Sequence, residues 1–189
     1  MSREIQVSEA YRGYSPHFDV RRTVVRLVDA APDRYVGGLG TVVLTNLDAL
    51  NREQRRRKSR WRGRQVSVAQ VLGRYHPAWN GARAWIEIFV DQVFKDCPKW
   101  FQRVPPIREL LLADTLYHEI GHHVHRTQKP EYAEKERVAD RWQRRLSAQY
   151  WRRQYWYFMP FVVVVYPVGS VGIWVYKWAG KVAKRITTA

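Results

Sequence analysis

The 189 residues suffice for one domain, or one domain with an appendage, and for a real apolar core, so folding requires neither disulfides nor a structural metal. Hydrophobic residues at 46% and charged residues at 26% exclude wholesale disorder. Lys and Arg total 33 against 17 acids, a net charge of +16 that favours anionic partners (nucleic acid, acidic lipid or acidic protein) without choosing among them.

Cys97 is the single cysteine, which excludes a disulfide framework and a Cys-rich zinc site and makes a reducing compartment the expectation. The first 18 residues, MSREIQVSEAYRGYSPHF, carry acids and lack an apolar run, so they do not read as a secretory signal.

In chain order, the β-branched run 23–28 (TVVRLV) reads as a short strand, and the turn-rich APDRYVGGLG leads to a second strand at 41–46. Asn46 or Asp48 is placed to cap a helix or turn entering 52–64, REQRRRKSRWRGR, where eight of thirteen residues are basic. A patch of Arg55, Arg56, Arg57, Lys58, Arg60, Arg62 and Arg64 with Trp61 suits phosphate contact and stacking, and equally a solvated loop. Residues 65–72 fit strand or helix. RYHPAWNGARA reads as a loop, and Trp85–Val90 as a strand able to pair with an extended substrate.

Pro106 opens a helix that runs to about His125, with Ile107, Leu110, Leu111 and Leu116 as its buried apolar positions. Residues 131–149 form a second helix. Beyond it, 154–176 contains no charge and is long enough to span a bilayer. Its prolines, glycines and β-branched residues also suit a packed β-hairpin. The expected organisation is a domain at 1–150 and an apolar aromatic tail at 151–189, with a cytoplasmic catalytic domain anchored by that tail as the simplest arrangement.

The first of these two helices contains His118-Glu119-Ile120-Gly121-His122, an HExxH motif. Residues four apart lie one turn apart on one helix face, so both imidazoles reach one cation, and Glu119 is placed to take a proton from water at the metal. Seven residues from His118, His125 lies roughly 10.5 Å along the axis, too far to share the ion, and reads as a cleft or surface residue. His123 points elsewhere. A metzincin pattern fails because His125 and Gln128 stand where Gly and His are needed, and a third histidine ligand further along is absent.

Downstream, Glu136-Arg137-Val138-Ala139-Asp140 gives ExxxD on the second helix. Together these motifs, over about 107–146, resemble the gluzincin metallopeptidases, the HExxH-plus-Glu group that includes thermolysin. The resemblance implies an α+β, zincin-like fold with a small twisted sheet beside the two helices. It also implies Zn²⁺ held by His118, His122 and Glu136, Asp140 hydrogen-bonded to a ligand histidine, and Ala139 permitting close helix approach. The spacing from His122 to Glu136 is shorter than in thermolysin, and Glu134 and Glu131 are alternatives to Glu136. Tyr75, His76, Tyr117 and Tyr132 are candidate oxyanion donors. The expected function is peptide-bond hydrolysis on a protein or peptide substrate. The alternative is a catalytically inactive module that binds nucleic acid or anionic membrane through its basic segment.

Overall fold

The computed structural model describes residues 5–56, 58–61, 64–67, 71–128 and 135–158. The chain divides into two units, Met1–Tyr150 and Trp151–Ala189. In the first, β1 (Gln6–Ala10), β2 (Leu39–Thr45), β5 (Gly73–His76) and β6 (Ala84–Phe89) form one mixed sheet in the order β1-β2-β6-β5. β1 and β6 run parallel to β2, and β5 runs antiparallel to β6. With its several helices the unit is α+β.

Residues 23–28 are not a strand but part of α1 (Val20–Ala30). The Asp19 carboxylate accepts the Arg22 N–H at 2.7 Å, and Val20, Val24, Leu27 and Val28 form a buried stripe at helical spacing. β-Branched content suggested a strand; the cap and the 3.6-residue period outweigh it. Topology also requires this helix, because parallel β1 and β2 need a crossover between them. A single turn, α2 (Asp33–Val36), leads from it into β2.

Asn46 caps nothing. Its side chain accepts the Arg12 N–H and donates to the Arg12 carbonyl, both at 2.8 Å, joining the ends of β1 and β2. The cap of α3 (Arg52–Arg56) is Asn51, which exchanges reciprocal hydrogen bonds with Gln54. The ambiguous stretch after it enters a strand: β3 (Lys58–Trp61) and β4 (Arg64–Ser67) make a separate antiparallel pair. Within the expected loop RYHPAWNGARA, Arg74–His76 belong to β5. Asn80 and Gly81, both at positive φ, turn the chain between Trp79 and Ala82 back into β6.

β6 is an interior strand between β2 and β5, so its backbone is not free to pair with an extended substrate as expected; β1 and β5 are the edges of this sheet. Val42, Leu44, Ile86 and Ile88 are wholly buried on the sheet, with Leu112, Ala113, Leu116 and Ile120 from α6 (Pro105–Gln128) buried likewise. Leu110, expected inside, is exposed. Two short helices, α4 (Val90–Val93) and α5 (Lys99–Gln102), connect β6 to α6, and α7 (Lys135–Gln154) follows.

Glu109 of α6 is buried and accepts hydrogen bonds from Arg26 of α1 and Tyr150 of α7, so one carboxylate ties three helices. Removing it leaves the Tyr150 hydroxyl and one guanidinium edge without this partner, a cost typical of broken buried networks and moderated by Arg26 being partly exposed. We expect Glu109→Ala to lose about 2–3 kcal/mol in urea unfolding.

Across the β5–β6 ladder, Arg74 donates to Glu87 at 2.8 Å, with the His76 ring 3.5 Å from the same oxygen. Burial raises the Glu87 carboxyl, but His76 and Arg74 outweigh it, leaving the group below its ordinary 4.5. A carboxylate lowered on folding contributes stability above its unfolded value and loses it as pH falls through the folded one. The midpoint difference between the parent and Glu87→Gln should therefore be constant above about pH 5 and shrink below 4.5.

Residues 159–189, which hold most of the expected apolar span, lie outside the described residues. Among the described residues, no helix is long and apolar enough to cross a membrane.

Candidate metal centre

His118, Glu119 and His122 sit in the second half of α6, and Glu136 and Asp140 in the first turns of α7. The two helices meet at Gly121 and Ala139: a Cβ on Gly121 would lie 2.7 Å from both the Cα and the carbonyl oxygen of Ala139. Only a glycine lets the backbones come this close.

That approach gathers three donor side chains. The Nε2 atoms of His118 and His122 are 3.2 Å apart, and the Glu136 carboxylate reaches them at 3.5 and 3.8 Å. Ligand atoms held at about 2.0–2.2 Å on a tetrahedral ion lie roughly 3.3–3.6 Å apart, so the trio fits a single cation. Among the described residues these three form a group able to hold a metal, one ligand atom from each lying within 4.8 Å of the others. The Asp140 carboxylate is 3.3 Å from Nδ1 of His118, the ring nitrogen turned away from that trio. A carboxylate there orients an imidazole whose other nitrogen faces a metal. Glu131 and Glu134, the other acids considered, are outside the described residues.

Electrostatics separates the two imidazoles. Burial lowers His118, but hydrogen bonding to Glu136 and the charges of Glu119, Glu136 and Asp140 raise it more, for a net upward shift. His122 goes the other way, to about 4, through burial and the neighbouring His118. A cation bound here would require both imidazoles to be neutral. Glu119 is raised to about 7, first by burial and then by Glu136, against lowering from His118, a backbone hydrogen bond from Tyr75 and Arg74.

The sheet edge contributes what the sequence did not reveal. Gly73 lies so close to α6 that a Cβ would stand 3.0 Å from Thr115 Cγ2 and 3.1 Å from Glu119 Cγ. His123 is buried, its Nε2 2.9 Å from the Gly37 carbonyl and its Nδ1 3.1 Å from the Tyr75 hydroxyl. The available signal was helical spacing: five residues past His118, position 123 turns toward the sheet. His125 is also buried, which excludes the surface placement of the cleft-or-surface expectation.

The expected oxyanion donors are engaged elsewhere. The Tyr117 hydroxyl donates to the Leu27 carbonyl at 3.0 Å, and Tyr75 meets His123. His76 stacks on Trp85 with ring centroids 3.7 Å apart, and Tyr132 is outside the described residues. Of the basic residues, Arg55 is drawn to Asp48 and to the Leu50 carbonyl. Arg56 lies on α3, Lys58 and Arg60 on β3, and Arg64 on β4, while Arg57 and Arg62 are outside the described residues.

The chain matches no protein-family model, and no curated protein or solved structure resembles it significantly.

Proposed function

We propose that the chain is a zinc-dependent peptidase of gluzincin type with a zincin-like fold, hydrolysing peptide bonds in a protein or peptide. The observation that carries this reading is the convergence of two histidine nitrogens and one glutamate oxygen, with Glu119 one residue from the first ligand on a buried helix face. Two imidazoles and a carboxylate suit Zn²⁺ and leave a fourth position open. When bound, the zinc would supply Lewis acidity to a water and to the scissile carbonyl.

The chain's own residues do the rest. Glu119 accepts the proton of the attacking water and returns it toward the leaving amine. Asp140 holds the His118 ring in orientation. Substrate meets the edge strand: the Phe89 N–H bonds to the Leu72 carbonyl, which in this register turns the backbone groups of residues 72, 74 and 76 toward β6. The carbonyls of Gly73 and Tyr75 then face the free edge, where an extended peptide can pair with them.

Metal removal is the test. Purified protein should carry one zinc per chain, lose hydrolysis of an unfolded protein substrate on chelation, and regain it with zinc. Activity that survives complete metal removal would refute the reading.

A second reading is favoured by the gathering of basic residues on the separate β3–β4 hairpin. In it the chain is a silent module that binds nucleic acid or anionic membrane. Stoichiometric zinc without hydrolysis, together with binding to single-stranded nucleic acid or acidic vesicles that falls steeply with salt, would select it.

A further inference from the structure

We propose that Tyr75 is a positioning residue for Glu119: its hydroxyl, through His123, clips the edge strand to α6 so that its own backbone N–H holds the base. The inference rests on the peptidase reading for its kinetic consequence, but not for its geometry.

Tautomer logic fixes the direction of the clip. The Gly37 carbonyl, 2.9 Å from His123 Nε2, can only accept, so Nε2 carries the hydrogen. Nδ1 is then the acceptor, and the Tyr75 hydroxyl 3.1 Å away donates to it. His123 is 1% exposed, so this bond is shielded from competing water and its ring is held from both sides. Tyr75 is thereby fastened to the C-terminal part of α6, one residue beyond the second candidate ligand.

Register supplies the other half. Residues 72, 74 and 76 pair with β6, so the Tyr75 N–H points out of the sheet edge, and Tyr75 backbone hydrogen bonding is among the influences that lower the Glu119 carboxyl. Gly73, two residues back and facing the same helix, provides the clearance: a Cβ there would lie 3.2 Å from Glu119 Oε1. One strand thus aims the base from its backbone and is itself aimed by its side chain. Loss of the hydroxyl leaves the metal ligands untouched and loosens only the strand's hold on Glu119.

Tyr75→Phe removes one oxygen and keeps the ring. In the metal-free protein, hydrogen exchange of the residue-75 amide should be at least tenfold faster in Tyr75→Phe than in the parent; equal rates would overturn the inference, whatever the enzymology. In the zinc-loaded protein, kcat should fall about tenfold with KM and zinc affinity within twofold, since misplacing a catalytic group by a fraction of an ångström has effects of this order. A merely structural tyrosine would lower the melting temperature and leave both amide exchange and kcat unchanged, which also overturns the proposal. His123→Leu combined with Tyr75→Phe should cost no more kcat than the worse single variant, because both break one link; additive losses would contradict that link. If the zinc-loaded parent hydrolyses nothing, the peptidase reading fails, and amide exchange alone still decides the positioning.

Discussion

Glu119→Gln should reduce kcat by about a thousandfold while zinc content stays at the parent level, the effect expected of a deleted general base. The substitution is close to isosteric, and the glutamine carbonyl can still accept the Tyr75 N–H, so the side chain keeps its place beside Gly73. What it loses is the ability to take a proton. Burial and Glu136 raise the acid to about 7 in the metal-free chain. A dication beside it lowers it again, giving at neutral pH the carboxylate that a base must be. Initial rates on an unfolded substrate, with zinc quantified in the same samples, decide the matter. Hydrolysis at the parent rate would remove Glu119 from the chemistry.

Gly121→Ala should weaken zinc binding by about 10- to 100-fold, a remote change acting on three side chains it does not touch. In an isolated helix alanine is better than glycine by about 1 kcal/mol. Here its methyl would stand 2.7 Å from the Ala139 Cα and carbonyl oxygen. Those atoms are backbone and cannot rotate aside, so α6 and α7 must separate. Because His118 and His122 ride on α6 and Glu136 on α7, separation pulls the donor set apart. Overpacking of this kind costs about 1–3 kcal/mol, so the variant should also be less stable in urea despite its better helix propensity. Competition with a chromophoric chelator measures the affinity. An alanine variant that binds zinc like the parent would mean that the helix contact does not set the site.

The elements read most directly from the sequence were those whose signal is local. α6 has a proline start, helix formers broken only by Gly121 and a repeating apolar face; expected from Pro106 to about His125, it spans Pro105–Gln128. HExxH places its own two histidines, since four residues on a helix is a geometric constant. The ExxxD motif is different: nothing at 135–140 says which neighbour it will meet, and resemblance to a family supplied that partner. α1 was misread because Val24, Val25 and Val28 speak for a strand, whereas Asp19 and the parallel sheet around it demand a helix. The edge strand was also misplaced. Trp85–Phe89 has the stronger strand signal because it is buried on both sides, and that burial is why it lies inside the sheet. β5 is short and contains glycine, as exposed edges often are, so it read as loop. Tyr75 and His123 meet across 48 residues, and no local pattern announces such a contact.

Zinc-edge anomalous diffraction from crystals of the zinc-loaded protein tests the whole assignment. One peak should lie within about 2.0–2.2 Å of His118 Nε2, His122 Nε2 and a Glu136 oxygen, with no fourth protein ligand. A peak held by other side chains, or none between α6 and α7 at saturating zinc, would contradict it.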